Sequence, residues 1–116
     1  MRISAVTLAT TCMSTAVDFY KRLGFELHRG GESATFTTFS VGKHHLNLRL
    51  LESASAPPST TLVIFGVNDV DKMHRLLLER GLHPEFEPRD AEWGERYFHI
   101  RDPDGHPLSF AEPLAP

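Results

Sequence analysis

Seven histidines in 116 residues raise metal chemistry first, because a neutral imidazole is the commonest side-chain ligand for a transition ion. Their spacing argues against a recognisable motif. His44-His45 is too short to define a site, and His28, His74, His83 and His106 read as structural or exposed, with His74 off the apolar stripe of its helix. His99 is the sharpest case. It stands between Phe98 and Ile100, and strand alternation sends it to one face together with Tyr97 and Arg101. There His99 or Tyr97 is a candidate acid or base, against the plainer reading of His99 as a hydrogen-bonded core residue. Arg49 and Arg101 carry the forked guanidinium that holds a carboxylate or phosphate through two bonds. Surface pairing with acidic residues is their alternative. Trp93, the single tryptophan, falls in a loop before a strand, where it closes over a ligand or fills an interface. Cys12 is the one cysteine, so no internal disulfide forms. No base accompanies it in sequence, and it reads as a buried small residue rather than a nucleophile.

The elements that must position these residues follow from apolar periodicity. Residues 3–10 alternate as a first strand, with Val6 and Leu8 on one side and Ala5, Thr7 and Ala9 on the other. A helix over 14–23 has Ser14 as its cap, an apolar stripe through Ala16, Val17, Phe19, Tyr20 and Leu23, and Gly24 beyond its end. Strands over 25–29, 35–41 and 44–51 follow, divided by Gly30-Gly31 and Gly42-Lys43. After a linker at 53–59, rich in Ala, Ser and Pro, the order repeats. A strand covers 60–67. A helix capped by Asp69 carries Val70, Met73, Leu76 and Leu77 and closes at Gly81, and strands cover 84–88, 96–101 and 107–112. A shift of 57 lays Val6 on Val63, Phe19 on Leu76 and Gly24 on Gly81, and a larger one lays Leu46-Asn47-Leu48 on Leu108-Ser109-Phe110.

The expected fold is therefore α+β: two βαβββ modules, about 1–52 and 60–116, forming one curved mixed sheet around a cleft with helices on its outer face. Two helices on eight strands cover one sheet face only and leave the other for a ligand. Leu46, Leu48, Phe98 and Ile100 belong under the helices. His45, Asn47, Arg49, Tyr97, His99 and Arg101 then face the concavity, joined by Thr7, Ile64 and Ser109 on parity. With Trp93 these make a wall of aromatic and polar groups suited to a small molecule.

Composition narrows the classes. A formal charge of −3 without a basic stripe argues against nucleic acid. The longest apolar run, about Leu62 to Phe65, is too short for a bilayer, and Met1-Arg2-Ile3-Ser4 does not open a signal peptide. A cytoplasmic protein is expected.

Trp93 to Glu112, WGERYFHIRDPDGHPLSFAE, resembles the closing hairpin of the glyoxalase/bleomycin resistance/dioxygenase (vicinal oxygen chelate) superfamily. Asp18-Phe19-Tyr20 with Leu23-Gly24-Phe25 resembles its first-helix signature. The resemblance implies paired βαβββ modules, a homodimer, and a metal held at four strand positions, which fall here on Ala5, Asn47, Leu62 and Ser109. Ala and Leu offer no side-chain donor, and Asn and Ser are weak ligands for a transition ion. The usual metal site therefore looks absent, even if a one-residue slip brings in His45. The bleomycin-resistance-like branch fits best. Three functions remain in view: a metal-independent small-molecule binding protein without a cofactor, a lyase or dioxygenase with a displaced divalent metal site, and a metal-free enzyme using His99 or Tyr97 with an arginine anchor.

Overall fold

A computed structural model describes residues 1–53 and 59–115. The residues divide into two compact units, 1–58 and 59–116, each built as a βαβββ module. Most of the proposed linker lies outside the described residues.

In the first unit the strands are β1 (Ala5–Thr10), β2 (Glu26–Arg29), β3 (Phe36–Val41) and β4 (His44–Leu50), and the helix is α1 (Met13–Leu23). The sheet order is β1-β4-β3-β2, with β1 and β4 parallel and the rest antiparallel. The second unit repeats this with β5 (Val63–Gly66), α2 (Val70–Glu79), β6 (Arg89–Asp90), β7 (Glu95–Arg101) and β8 (Pro107–Pro113), in the order β5-β8-β7-β6. The helices open at Met13 and Val70, 57 positions apart. The parallel registers agree as well: Val6 lies opposite Leu46 and Leu8 opposite Leu48, while Val63 lies opposite Leu108 and Phe65 opposite Phe110. The repeat is thus one of hydrogen-bond register and not only of pattern.

Burial explains why each strand settles with the parity it has. Leu8, Phe39, Leu46 and Leu48 pack with Ala16, Val17, Tyr20 and Leu23 of α1, all fully or nearly buried. Tyr20 stacks on Phe25 and tilts against Phe39, with ring centres 6.0 and 5.9 Å apart. In the second unit Phe98, Ile100, Leu108 and Phe110 lie beneath Val70 and Leu77, and Phe98 and Phe110 stack at 5.3 Å. A slip of one residue in any of these strands exposes its entire apolar set.

The helices differ from expectation at their ends. Cys12, not Ser14, is the α1 cap, in extended backbone and without a side-chain cap bond. The chain has already turned at Thr10, whose buried hydroxyl bonds both the N–H and the carbonyl of Cys12. Gly24 ends α1 with φ of 103°, a left-handed value that costs an L side chain energy and a glycine little. Asp69 caps α2 as expected, its carboxylate accepting from the Lys72 N–H at 3.0 Å. His74, read as lying off the stripe, is only 9% exposed and meets Phe98 edge-on at 5.1 Å. On α2 it occupies the row of Val70 and Leu77, while Met73 and Leu76 stay partly exposed.

The strand expected over 84–88 does not form. Pro84 and Pro88 lack N–H donors, and the segment keeps one ladder bond, from Glu85 N–H to the His99 carbonyl at 2.8 Å. Pairing resumes only at β6, where Arg89 lies opposite Tyr97. The first and fifth strands are also shorter than the apolar runs suggested. Leu62 falls just before β5 and is exposed.

The Asp102-Pro103-Asp104-Gly105 turn is as read. One Asp102 carboxylate oxygen accepts the N–H groups of Asp104 and His106, both at 2.9 Å. Phe98 anchors the second core by touching both a helix ring and a strand ring. Phe98→Ala is expected to destabilise the second unit by about 3–5 kcal/mol, read as a lowered urea midpoint by circular dichroism.

Candidate functional site

Each sheet has one face under its own helix and one face turned away from it. The sequence-predicted residues fall on the latter, and the two units are best taken in turn.

In the second unit this face is dominated by rings. Tyr97 and His99 alternate with buried Phe98 and Ile100, which fixes their direction. Their ring centres are 5.2 Å apart. Phe86, brought over β7 by the Glu85–His99 bond, lies 5.6 Å from Tyr97 and 5.3 Å from His99. Trp93 reaches Tyr97 at 5.5 Å from the loop before β7. Its indole N–H is held by Glu95 at 2.9 Å, yet the residue remains 68% exposed. Arg89 closes the group: its guanidinium sits 3.9 Å over the Phe86 ring, and its Nε donates to the Tyr97 hydroxyl at 3.2 Å. Such contacts hold rings in fixed orientations, and each contributes about 0.5–1.5 kcal/mol beyond burial. Phe86 and Arg89 were not singled out from sequence. The Pro-flanked phenylalanine was the available signal, hidden because its segment was read as ladder.

The remaining predicted residues of this unit play different parts. Ile64, more than half exposed, lies opposite Ser109, which lies opposite His99. Ser109 is on this face by register but only 3% exposed. Arg101 donates to the Gly105 carbonyl of its own hairpin at 2.8 Å and pairs with Glu85 of the 84–88 segment at 3.5 Å. Burial pushes the pKa of His99 below its ordinary 6.5; Glu85 opposes this, and Arg89 and Arg101 reinforce it. The ring is accordingly neutral at physiological pH.

In the first unit Asn47 sits at the centre of a hydrogen-bond chain. Thr38 donates to its carbonyl oxygen at 2.8 Å, and its amide donates to Thr7 at 3.1 Å. The three lie abreast on adjacent strands. Arg49, beside Ala9 and Phe36, borders a shallow hollow of about 650 Å³ with Phe36 and Leu50. It has no ion pair among the described residues. His45 faces the same way and meets the ring of His28 at 5.2 Å.

The four positions to which the family resemblance assigns a metal do not suit one. Ala5 and Leu62 lack donors, both polar groups of the Asn47 amide are already bonded, and Ser109 is covered. Asp69, Asp71 and Glu112 do gather within 4.8 Å of one another, but each has an occupation. Asp69 caps α2, Glu112 accepts from the Val70 N–H at 3.2 Å, and Asp71 binds Arg96. Arg96, bonded also to Asp90, holds the Asp71 carboxyl below its ordinary range. Anionic groups at a helix N-terminus are a common stabilising device.

Cys12 is exposed, not buried as expected. The hydroxyls of Ser14 and Thr15, 3.4 and 3.2 Å from its sulfur, lower its pKa from 9.0 to about 7 by favouring the thiolate.

The model of the glyoxalase/bleomycin resistance protein/dioxygenase superfamily matches residues 2–110, and the chain belongs to that superfamily. A curated relative, the uncharacterized protein YraH of Bacillus subtilis (strain 168), is 29% identical over 118 residues, covering 90% of this chain and 92% of its own. TioX from Micromonospora sp. ML1 is 26% identical with a TM-score of 0.78, across 98% of this chain and 100% of that one. A glyoxalase family protein from Bacillus anthracis superposes with a TM-score of 0.82 at 21% identity, covering 97% and 95%. Lactoylglutathione lyase from Agrobacterium tumefaciens gives 0.78 at 19%, covering 96% and 92%. At those identities the last two establish the fold alone.

Two measurements check the electrostatics. His99 should titrate below 6.5 by NMR, and Phe86→Ala, which uncovers it, should raise its midpoint. Because the unfolded chain takes this proton first, the stability lent by the neutral ring is present above about pH 6.5 and lost as the pH falls through the folded value. Alkylation of Cys12 by iodoacetamide should follow a midpoint near pH 7, which moves upward in Ser14→Ala and Thr15→Val.

Proposed function

We propose that this chain is a metal-independent small-molecule binding protein of its superfamily, and that its ligand carries a flat apolar or aromatic group. The observation that carries this reading is the ring wall of Phe86, Trp93, Tyr97 and His99, clamped by Arg89 on the face of the second sheet turned away from its helix. Trp93 is 68% exposed and so open to a ligand, and a pre-set aromatic surface loses little conformational entropy when a planar ligand stacks on it. The neutral state of His99 suits an apolar contact. The poor donor set at Ala5, Asn47, Leu62 and Ser109 argues against chemistry of the lyase or dioxygenase kind at the usual place.

A second reading has one observation in its favour. Burial keeps His99 in its basic, uncharged form, as a general base in a metal-free reaction requires.

Trp93 makes the first reading easy to test, because it is the single indole. Titration with a panel of planar aromatic compounds should quench or blue-shift its emission saturably. Tyr97→Ala should weaken the response by roughly tenfold, about 1.4 kcal/mol, while His99→Phe, which keeps a ring and removes the base, should preserve it. A panel without any saturable response sinks the reading. A compound turned over by the native chain but only bound by His99→Phe would establish the second.

A further inference from the structure

The first sheet carries a pair of imidazoles that the ligand reading does not use. His45 in β4 lies abreast of Ala5 on β1 and Ser40 on β3. His28 comes from β2, at the place where the β2–β3 register slips. Leu27 is opposite Phe39, yet Arg29 is opposite Thr38, so His28 is the residue left out of step. Such an irregularity re-aims a side chain. Here it sets the His28 ring against that of His45, with centres 5.2 Å apart and planes inclined at 47°.

The hairpin that makes the slip is tightly tied. Gly30, at φ of 85°, runs so close to β3 that a Cβ there would lie 2.5 Å from the Phe36 carbonyl oxygen. The Thr37 hydroxyl bonds both the N–H and the carbonyl of Gly31, at 3.0 and 3.1 Å. The backbone positions from which the two rings project are therefore fixed. Neither ring has a hydrogen bond or ion pair among the described residues. His28 is exposed and His45 half-buried, and the register neighbours of His45 are the small residues Ala5 and Ser40.

A separation of 5.2 Å between ring centres is compatible with two ligands on one ion, provided the side-chain torsions turn a nitrogen of each toward it. Zinc binds imidazole nitrogen at about 2.0–2.1 Å with tetrahedral angles, which puts two bound ring centres roughly 5 Å apart. Hard ions that prefer oxygen, such as magnesium and calcium, have no reason to choose this pair. We propose that His28 and His45 form a two-histidine site for a divalent transition ion of the zinc, nickel or copper class. Its remaining coordination positions are open to water or to a chelating anion. Neither residue is one of the four family positions, and the site stands independently of the aromatic wall.

The test is calorimetric titration of the untagged full chain with zinc or nickel chloride alone. Saturable binding of one ion per chain is expected. His28→Ala and His45→Ala should each weaken it by roughly tenfold or more, and His44→Ala should leave it unchanged. Nickel should also broaden the ring-proton signals of His28 and His45 before those of the other histidines, a readout that needs no variant. No binding at millimolar metal, or equal affinity in the His28→Ala/His45→Ala chain, overturns the proposal. So does an equal loss in His44→Ala, or broadening that begins at other histidines. The Trp93 response to aromatic compounds should survive in the double variant, so a failure of either proposal is told apart from a failure of the other.

Discussion

The parity of the two central strands, β4 and β8, governs this protein. Leu46 and Leu48 in one, and Leu108 and Phe110 in the other, are drawn beneath a helix by the burial of apolar area, which supplies about 25 cal/mol for each Å² removed from water. Once those side chains are down, every intervening residue is committed to the other face. Asn47 and Ser109 occupy matching places for that reason, and their strand neighbours Thr38 and His99 match too. The faces away from the helices are thus a by-product of core formation, and their chemistry varies without disturbing what lies beneath.

Much of this was legible because it is periodic. Alternation placed His45, Asn47, Arg49, Tyr97, His99 and Arg101 on their faces, and apolar stripes found both helices, which open 57 positions apart. What escaped depends on contacts between segments distant in sequence. The engagement of Asn47 needs Thr7, forty residues away, and the burial of His74 needs Phe98. For Arg101, ligand anchor and surface pairing stood side by side, and its bonds to the Gly105 carbonyl and Glu85 depend on the turn after it and on a separate segment. Phe86 was hidden by a segment that alternates like a strand while two prolines prevent it from pairing as one. Cys12 was read as buried from the usual habit of cysteine, whereas the Thr10 hydroxyl bonds its backbone and leaves it as the exposed cap of α1.

The two faces have diverged in character under the same scaffold. The first is polar, with a threonine–asparagine–threonine chain across three strands and the His28–His45 pair beside it. The second is aromatic, and burial favours the neutral form of its imidazole. Superfamily membership accounts for the scaffold and leaves the chemistry of each face to the residues it carries.

The offset between the halves grows from 57 at the helices to 61 where Thr38 matches His99. Four surplus residues therefore sit between α2 and β7, in the stretch that delivers Phe86, Arg89 and Trp93. One longer connection is thus enough to set an aromatic surface on one module and not on the other. For protein engineering that makes the stretch after buried Leu82, residues 83–94, the natural place to vary length and sequence.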